Sequence, residues 1–184
     1  MIRMFREFRS AILCVTLIIV PAAQPQVASP MGAAAMLAAA YPQSGSAFQL
    51  PGQSFTPLPD GRWLVLGGYE GNGPVDTAWV VDPSQATATK LSNSLLHSRA
   101  FHTATLLPDG TVLIVGGVDG AGGLEGTVER FTPQTMAFAK VDGSGLTPRA
   151  QHTATLLTDG RLLIAGGTTL SERAAESAEV IDFL

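Results

Sequence analysis

The sequence predicts an all-β fold built from repeated units of short antiparallel strands joined by tight turns. The 184 residues include 20 glycines and 12 prolines, which interrupt helices and favour turns. The segment LLPDGTVLIVGG (106–117) recurs as LLTDGRLLIAGG (156–167), and an earlier relative, PLPDGRWLVLGG, ends at Gly68. The three copies lie 49 and 50 residues apart, a period that is typical of propeller blades or of another stacked array.

The first 23 residues have the pattern of a secretory signal peptide. Three arginines (Arg3, Arg6 and Arg9) precede the apolar run AILCVTLIIV (11–20), and small residues follow it. We therefore expect a secreted or periplasmic protein, with an uncleaved N-terminal membrane anchor as the alternative and no other membrane association. Cys14, the only cysteine, lies inside the run, so the mature chain is expected to have no disulfide.

The remaining chain divides into a linker and the repeats. Residues 24–49 are rich in Ala, Pro, Gln and Ser and are predicted to form the linker, and the repeats occupy 50–184 (about 50–98, 99–148 and 149–184). The net charge is −4 and only 14% of the residues are charged, so nothing in the composition suggests a nucleic-acid partner.

Each repeat reads as four strands in order. In the second copy HTATLL is the first strand, and the following Pro-Asp-Gly provides a hairpin turn. TVLIV returns as the second strand, and its continuous apolar run predicts that both faces are covered. After the double glycine come a variable loop, an alternating third strand (128–131), a Pro-containing turn and a fourth strand, MAFAKV. Four antiparallel strands in about fifty residues predict one propeller blade.

With these motifs the chain resembles kelch-repeat proteins, in the galactose-oxidase-like group of β-propellers. The kelch pattern is a hydrophobic strand, a double glycine and then two aromatics separated by six residues. Phe131 and Phe138 take the aromatic places in the second copy, whereas the first has Val81 and Ala88, and the third has Ile181. The sequence pattern RxxHTATLLxDGxxLIxGG is similar to that of exported bacterial kelch proteins. The double glycines are Gly67 and Gly68, Gly116 and Gly117, and Gly166 and Gly167.

The resemblance implies a β-propeller and leaves the function open. Kelch propellers usually close with six or seven blades, which needs on the order of 300 to 350 residues. About two complete blades and part of a third are expected here, and their outer faces would expose apolar strands. We expect either a fragment of a longer protein, which the stop in mid-repeat favours, or self-association of copies that completes the ring.

Two histidines and two arginines are the candidate ligand-binding residues. His102 and His152 occupy the same repeat position, and this recurrence favours a structural hydrogen bond to the neighbouring blade over a metal or acid–base role. Arg99 and Arg149 precede them by three residues, and in a propeller this segment lies near one rim of the channel.

Two roles are open for these arginines. They could bind an anionic group at the rim, a task that suits the forked donors of a guanidinium. Alternatively, each could form an ion pair between blades with Glu129 or Glu179, and we favour this second role.

No motif demands catalysis. The copper chemistry of galactose oxidase needs a Cys–Tyr crosslink, which the mature chain lacks, and Asp60, Asp109 and Asp159 each precede a turn glycine and are predicted to be turn residues. We expect no metal or other cofactor.

The leading hypothesis is therefore a non-enzymatic module that binds a protein or a carbohydrate through its variable loops, Tyr69–Asp76, Val118–Gly126 and Thr168–Ser177. The alternative is part of a carbohydrate-active kelch enzyme, oxidase- or mutarotase-like, whose catalytic residues lie outside this chain.

Overall fold

A computed structural model describes residues 47–169, 174–175 and 177–183. The predicted signal peptide with Cys14, residues 24–46 of the predicted linker and part of the third variable loop (170–173 and 176) lie outside the described residues. In the described part every extended element is a β-strand in an antiparallel pair, so the predicted all-β fold is confirmed. None of the described segments forms a helix that is long and apolar enough to cross a membrane.

The first repeat forms a four-stranded antiparallel sheet in the order β1-β2-β5-β6, with β3 and β4 as a separate small hairpin. Its strands are β1 (Ser54–Pro57), β2 (Trp63–Leu66), β3 (Tyr69–Glu70), β4 (Gly73–Pro74), β5 (Ala78–Asp82) and β6 (Thr87–Lys90).

The second repeat forms the same four-stranded sheet, in the order β8-β9-β11-β12, and its short β7 pairs with β10. The strands are β7 (Arg99–Ala100), β8 (Thr103–Leu106), β9 (Val112–Val115), β10 (Val118–Asp119), β11 (Val128–Thr132) and β12 (Ala137–Val141). Phe131 and Phe138 are direct partners across β11 and β12, with ring centroids 4.9 Å apart.

The third repeat contributes a three-stranded sheet in the order β13-β14-β15. Its strands are β13 (Thr153–Leu156), β14 (Leu162–Ala165) and β15 (Ala178–Ile181).

An aspartate closes the hairpin between the first two strands of every repeat. Asp109 accepts a hydrogen bond from the backbone N–H of Thr111 at 2.9 Å, and Asp60 and Asp159 make the same contact two residues ahead at 3.0 and 3.1 Å. Hydrogen bonds from the Thr111 side chain and backbone hold the pKa of Asp109 below its usual value. These aspartates are turn residues, as the sequence predicts.

The three sheets pack face to face through the second strand of each repeat. Neighbouring residues of a strand point to opposite faces, and β9 uses both: Val112 and Ile114 pack on the first sheet, whereas Leu113 and Val115 pack on the third. All four are fully buried, and burial of such a side chain stabilises the fold by about 1.5–3 kcal/mol. The apolar run TVLIV is thus covered on both faces, as expected.

Two sheet faces are not covered by another described sheet. The face of the first sheet that points away from the second, here called the first outer wall, carries Phe55, Trp63, Val65, Trp79, Val81 and Ala88, with Phe48 packed on it. The face of the third sheet that points away from the second, here called the last outer wall, carries Leu163, Ala165 and Val180, and Val180 is 46% exposed.

Candidate functional site

The candidate site lies where the second strand of each repeat ends and the next loop begins. Arg99 belongs to β7 and Glu129 to β11, and both side chains are fully buried. The Nη2 of Arg99 donates to Oε1 of Glu129 at 2.6 Å. The backbone N–H groups of Leu96 and His97 donate to the same carboxylate at 2.8 and 3.1 Å. The buried negative charge is therefore paired and hydrogen-bonded.

Arg99 uses all five of its N–H donors within the protein. Besides Glu129, Nη2 donates to the Thr127 hydroxyl at 2.9 Å, and Nη1 donates to the carbonyls of Gly116 and Thr127 at 2.9 and 3.3 Å. The Nε donates to the carbonyl of His97 at 3.4 Å. A ligand could bind this guanidinium only by displacing one of these partners. The geometry thus favours the ion pair over ligand binding.

The same arrangement recurs in the third repeat. Arg149 pairs with Glu179 and donates to the carbonyls of Gly166 and Ser177 at 3.2 and 3.1 Å. Both ion pairs involve the glutamates expected from the sequence, but each lies within one repeat and not between two. The reason is that the arginine segment crosses the end of its own sheet, where β7 pairs with β10.

The histidines form the contact between repeats. His102 Nε2 lies 2.8 Å from the Ser54 hydroxyl of the first repeat, and His152 Nε2 lies 3.0 Å from the Thr103 hydroxyl of the second. Burial, followed by the nearby charge of Arg99, lowers the pKa of His102 to about 3, and burial lowers that of His152 to about 4. Both rings are neutral at pH 7, which suits a structural bond and not proton transfer.

The two glycines of the second repeat, Gly116 and Gly117, serve different contacts. A Cβ on Gly116 would lie 2.5 Å from the Arg149 carbonyl and 2.8 Å from the His152 ring, both in the next repeat. A Cβ on Gly117 would lie 2.7 Å from the Ala100 carbonyl of its own repeat. In addition, the N–H of Gly117 donates to the Arg149 carbonyl at 2.9 Å. The double glycine is therefore needed because backbone approaches it from two sides.

A second link between repeats was not predicted from the sequence. The N–H of Phe101 donates to the Gly52 carbonyl at 2.8 Å, and the N–H of Gln151 donates to the Phe101 carbonyl at 2.9 Å. All three residues have a positive φ, between 57° and 72°. In the sequence, only Gly52 indicated this left-handed backbone, because glycine readily adopts a positive φ. Phe101 and Gln151 have the same conformation, but their residue types do not indicate it.

The first repeat departs from the other two at this site. Leu50 stands where the others have arginine, and Trp79 stands where they have glutamate. Gln53 replaces the histidine, and its Nε2 donates to the Gly67 carbonyl at 3.3 Å. Phe48 packs edge-on against Trp79, with ring centroids 5.6 Å apart. Apolar residues thus occupy both positions of the ion pair, and Trp79 packs on Phe48 instead.

The variable loops leave the sheets at this end, directly after the double glycines. Among the described residues, loops 69–76 and 118–126 carry Glu70, Asp76, Asp119 and Glu125 and contain no lysine or arginine. Glu70 and Asp76 are exposed, whereas Asp119 accepts hydrogen bonds from the N–H groups of Ala121 and Gly123. These two loops are therefore acidic, and Lys90, at the end of β6, lines the same pocket as Glu70. No group of three or more potential metal ligands occurs among the described residues.

Known proteins match this chain in structure and not in sequence. No protein family and no curated protein matches it. The structure of YjhT is similar, with a TM-score of 0.64 and 14% sequence identity. The match covers 72% of this chain and 49% of YjhT, so the chain spans about half the length of that protein. A likeness at this identity shows a common fold.

Proposed function

We propose that this protein is an exported, non-catalytic kelch-type β-propeller module that binds a protein partner through its loop end. Three features support a propeller arrangement. The sheets are antiparallel and follow one another in chain order, their faces interlock through the second strands, and the histidine contact to the preceding repeat recurs twice.

The observation that carries the binding proposal is the difference between the loops and the scaffold that holds them. The arginine network recurs in the second and third repeats, as does the close approach of the second glycine to the alanine carbonyl of its own repeat. The loops that follow differ: residues 69–74 form a two-stranded hairpin, whereas in 118–126 the chain pairs with β7 and turns around Asp119. Variable loops on a rigid scaffold are where binding specificity resides.

The charge of the loop end favours one class of ligand. The positive charges of Arg99 and Arg149 are buried and paired, so they do not attract an anionic ligand. The exposed charges of the described loops are the carboxylates of Glu70 and Asp76. Opposite charges steer association. Of the protein and carbohydrate ligands that the sequence suggests, the loop end fits a protein with a basic surface segment.

The test is a binding screen of the full chain against arrays of basic peptides and of glycans. We expect binding to lysine- and arginine-rich peptides that weakens as the salt concentration rises. The variant Glu70→Lys with Asp76→Lys is expected to lose this binding, whereas Gln85→Lys with Thr87→Lys, two exposed changes at the β5–β6 turn on the opposite end of the sheet, keeps it. A neutral glycan that binds, while no peptide does, would overturn the ligand class.

A further inference from the structure

We propose that the groove between the first and second sheets, beside the edge strand β6, binds a neutral oligosaccharide. This groove, here called the seam groove, has a volume of about 370 Å³, which is within the range of ligand pockets. Its sides are β5 and β6 of the first sheet and the turn between β11 and β12 of the second. Both sides belong to the described part of one chain, and no residue of the variable loops lines the groove.

The floor of the seam groove is apolar. Val80 is buried in the core that the first and second sheets share, and Leu91 and Met136 pack against the same core. Met136 comes from the turn between β11 and β12, so the floor is built from both repeats. A sugar ring presents C–H groups on its faces, and contact with this floor removes them from water.

The wall along β6 carries hydrogen-bonding side chains. Thr89 is the direct partner of Val80 across β5 and β6, so its side chain lies on the same face, towards the second sheet. Thr87 lies two residues earlier and points to this face as well. Thr87, Thr89 and Gln85 are exposed, and their side chains make no hydrogen bond within the described part of the chain. Hydroxyl and amide groups both donate and accept, which matches the hydroxyls of a sugar.

The two charged residues of the lining are opposite in sign. The Arg62 guanidinium is held by Asp60, to which Nε donates at 2.8 Å and from which Nη2 lies 2.6 Å away. Its Nη1 makes no hydrogen bond among the described residues. Oδ1 of Asp82 accepts from the N–H groups of Ser84 and Gln85 at 2.9 and 3.2 Å, and these bonds fix the carboxylate beside the groove. Because the charges of Arg62 and Asp82 balance, the lining fits a neutral ligand better than a charged one.

The equivalent groove between the second and third sheets is filled. Arg130 stands at the position of Val80, and its Nη2 donates to the Phe183 carbonyl of the third repeat at 2.9 Å. The guanidinium also lies 6.0 Å from the centre of the Phe183 ring. Ala137 and Ala139 stand where β6 has its two threonines. The open space and the hydroxyls thus occur together between one pair of sheets and are both missing from the other, as expected of a binding site and not of a packing defect.

The first experiment titrates the full chain with neutral disaccharides and trisaccharides of glucose, galactose and mannose, and follows binding by saturation-transfer NMR and calorimetry. We expect at least one of these sugars to bind with an affinity that does not change with the salt concentration, because the ligand is uncharged. Binding of basic peptides at the loop end should weaken with salt. The two sites are therefore read separately, and either proposal can fail alone.

Variants that copy the second repeat test the site. Val80→Arg is expected to fill the groove and abolish sugar binding, while the urea midpoint is kept because the second repeat folds with arginine at this position. Thr87→Ala with Thr89→Ala, two exposed changes, should weaken binding roughly tenfold through the loss of two hydrogen bonds. Ala139→Thr, an exposed change beside the filled groove, is the matched control and should leave sugar binding unchanged.

Two outcomes would overturn the proposal: none of the sugars binds, or sugar binding persists in both groove variants. A basic peptide whose binding is lost in Val80→Arg, while no sugar binds, would overturn the ligand class and assign the groove to a basic side chain like that of Arg130.

Discussion

Arg99 and Glu129 form an ion pair in which neither side chain is exposed. The other N–H groups of the arginine donate to the surrounding carbonyls and to the Thr127 hydroxyl. Removing one partner of such a pair leaves an uncompensated buried charge. We therefore expect Arg99→Leu to lower the free energy of unfolding by about 3–5 kcal/mol. Urea denaturation measures the change. Arg161→Leu, which breaks an exposed pair with Asp159, should leave the midpoint almost unchanged.

In the first repeat, uncharged residues occupy the positions of this ion pair. Leu50 and Trp79 occupy the two positions there, so Arg99→Leu with Glu129→Trp places the residue types of the first repeat in the second. We expect this double variant to be more stable than Arg99→Leu alone, because no buried carboxylate remains unpaired. The comparison again uses urea midpoints. A double variant that is less stable than the single one would show that the first-repeat pair does not transfer.

Gly116 should tolerate no side chain. Gly116 and Gly61 both have positive φ, 63° and 85°, so alanine at either position costs about 1–2 kcal/mol. Only at Gly116 does the new Cβ also meet the Arg149 carbonyl, whereas Gly61 faces open space within the described structure. Gly116→Ala is thus expected to lose a further 1–3 kcal/mol, roughly the cost of overpacking. Equal losses for the two variants in thermal or urea unfolding would contradict the assigned contact.

Stability is expected to fall in mild acid because of the buried histidines. In the unfolded chain a histidine binds a proton near pH 6.5, whereas the folded pKa of His102 is about 3 and that of His152 about 4. The unfolded chain therefore binds more protons below pH 6.5, and the free energy of unfolding decreases as the pH falls towards 4. His102 contributes about 2 kcal/mol of this loss at pH 5.

The first repeat suggests a control variant for this pH dependence. Gln53 stands at the histidine position of the first repeat, so His102→Gln keeps a hydrogen-bonding side chain that does not titrate. Urea midpoints measured from pH 8 to pH 5 should change less in this variant than in the wild type. An unchanged slope would mean that other groups cause the acid sensitivity.

The sequence predicted the parts of the fold that depend on local pattern. The turn aspartates and the fully apolar β9 are explained by neighbours in the chain or by strand periodicity, and both were found where expected. The partners of Arg99 were named correctly, but their placement within one repeat was not. That placement depends on how the segment before β8 crosses the sheet end, which no short pattern encodes.

The positive φ of Phe101 was invisible for a different reason. A left-handed backbone at phenylalanine is strained and persists only where surrounding contacts compensate for the strain. Here these contacts join residues about fifty positions apart. Likewise, the replacement of the ion pair by Leu50 and Trp79 in the first repeat became evident only after the strand pairing had shown which positions correspond between repeats.

The bond from Gln151 to Phe101 and the bond from Phe101 to Gly52 use only main-chain atoms. The joint needs no matched pair of side chains, but it needs a left-handed backbone, and at Gly52 it needs the absence of a Cβ, which would lie 2.5 Å from the Phe101 nitrogen. A duplicated unit that keeps this backbone conformation therefore carries its own main-chain bond to the next unit.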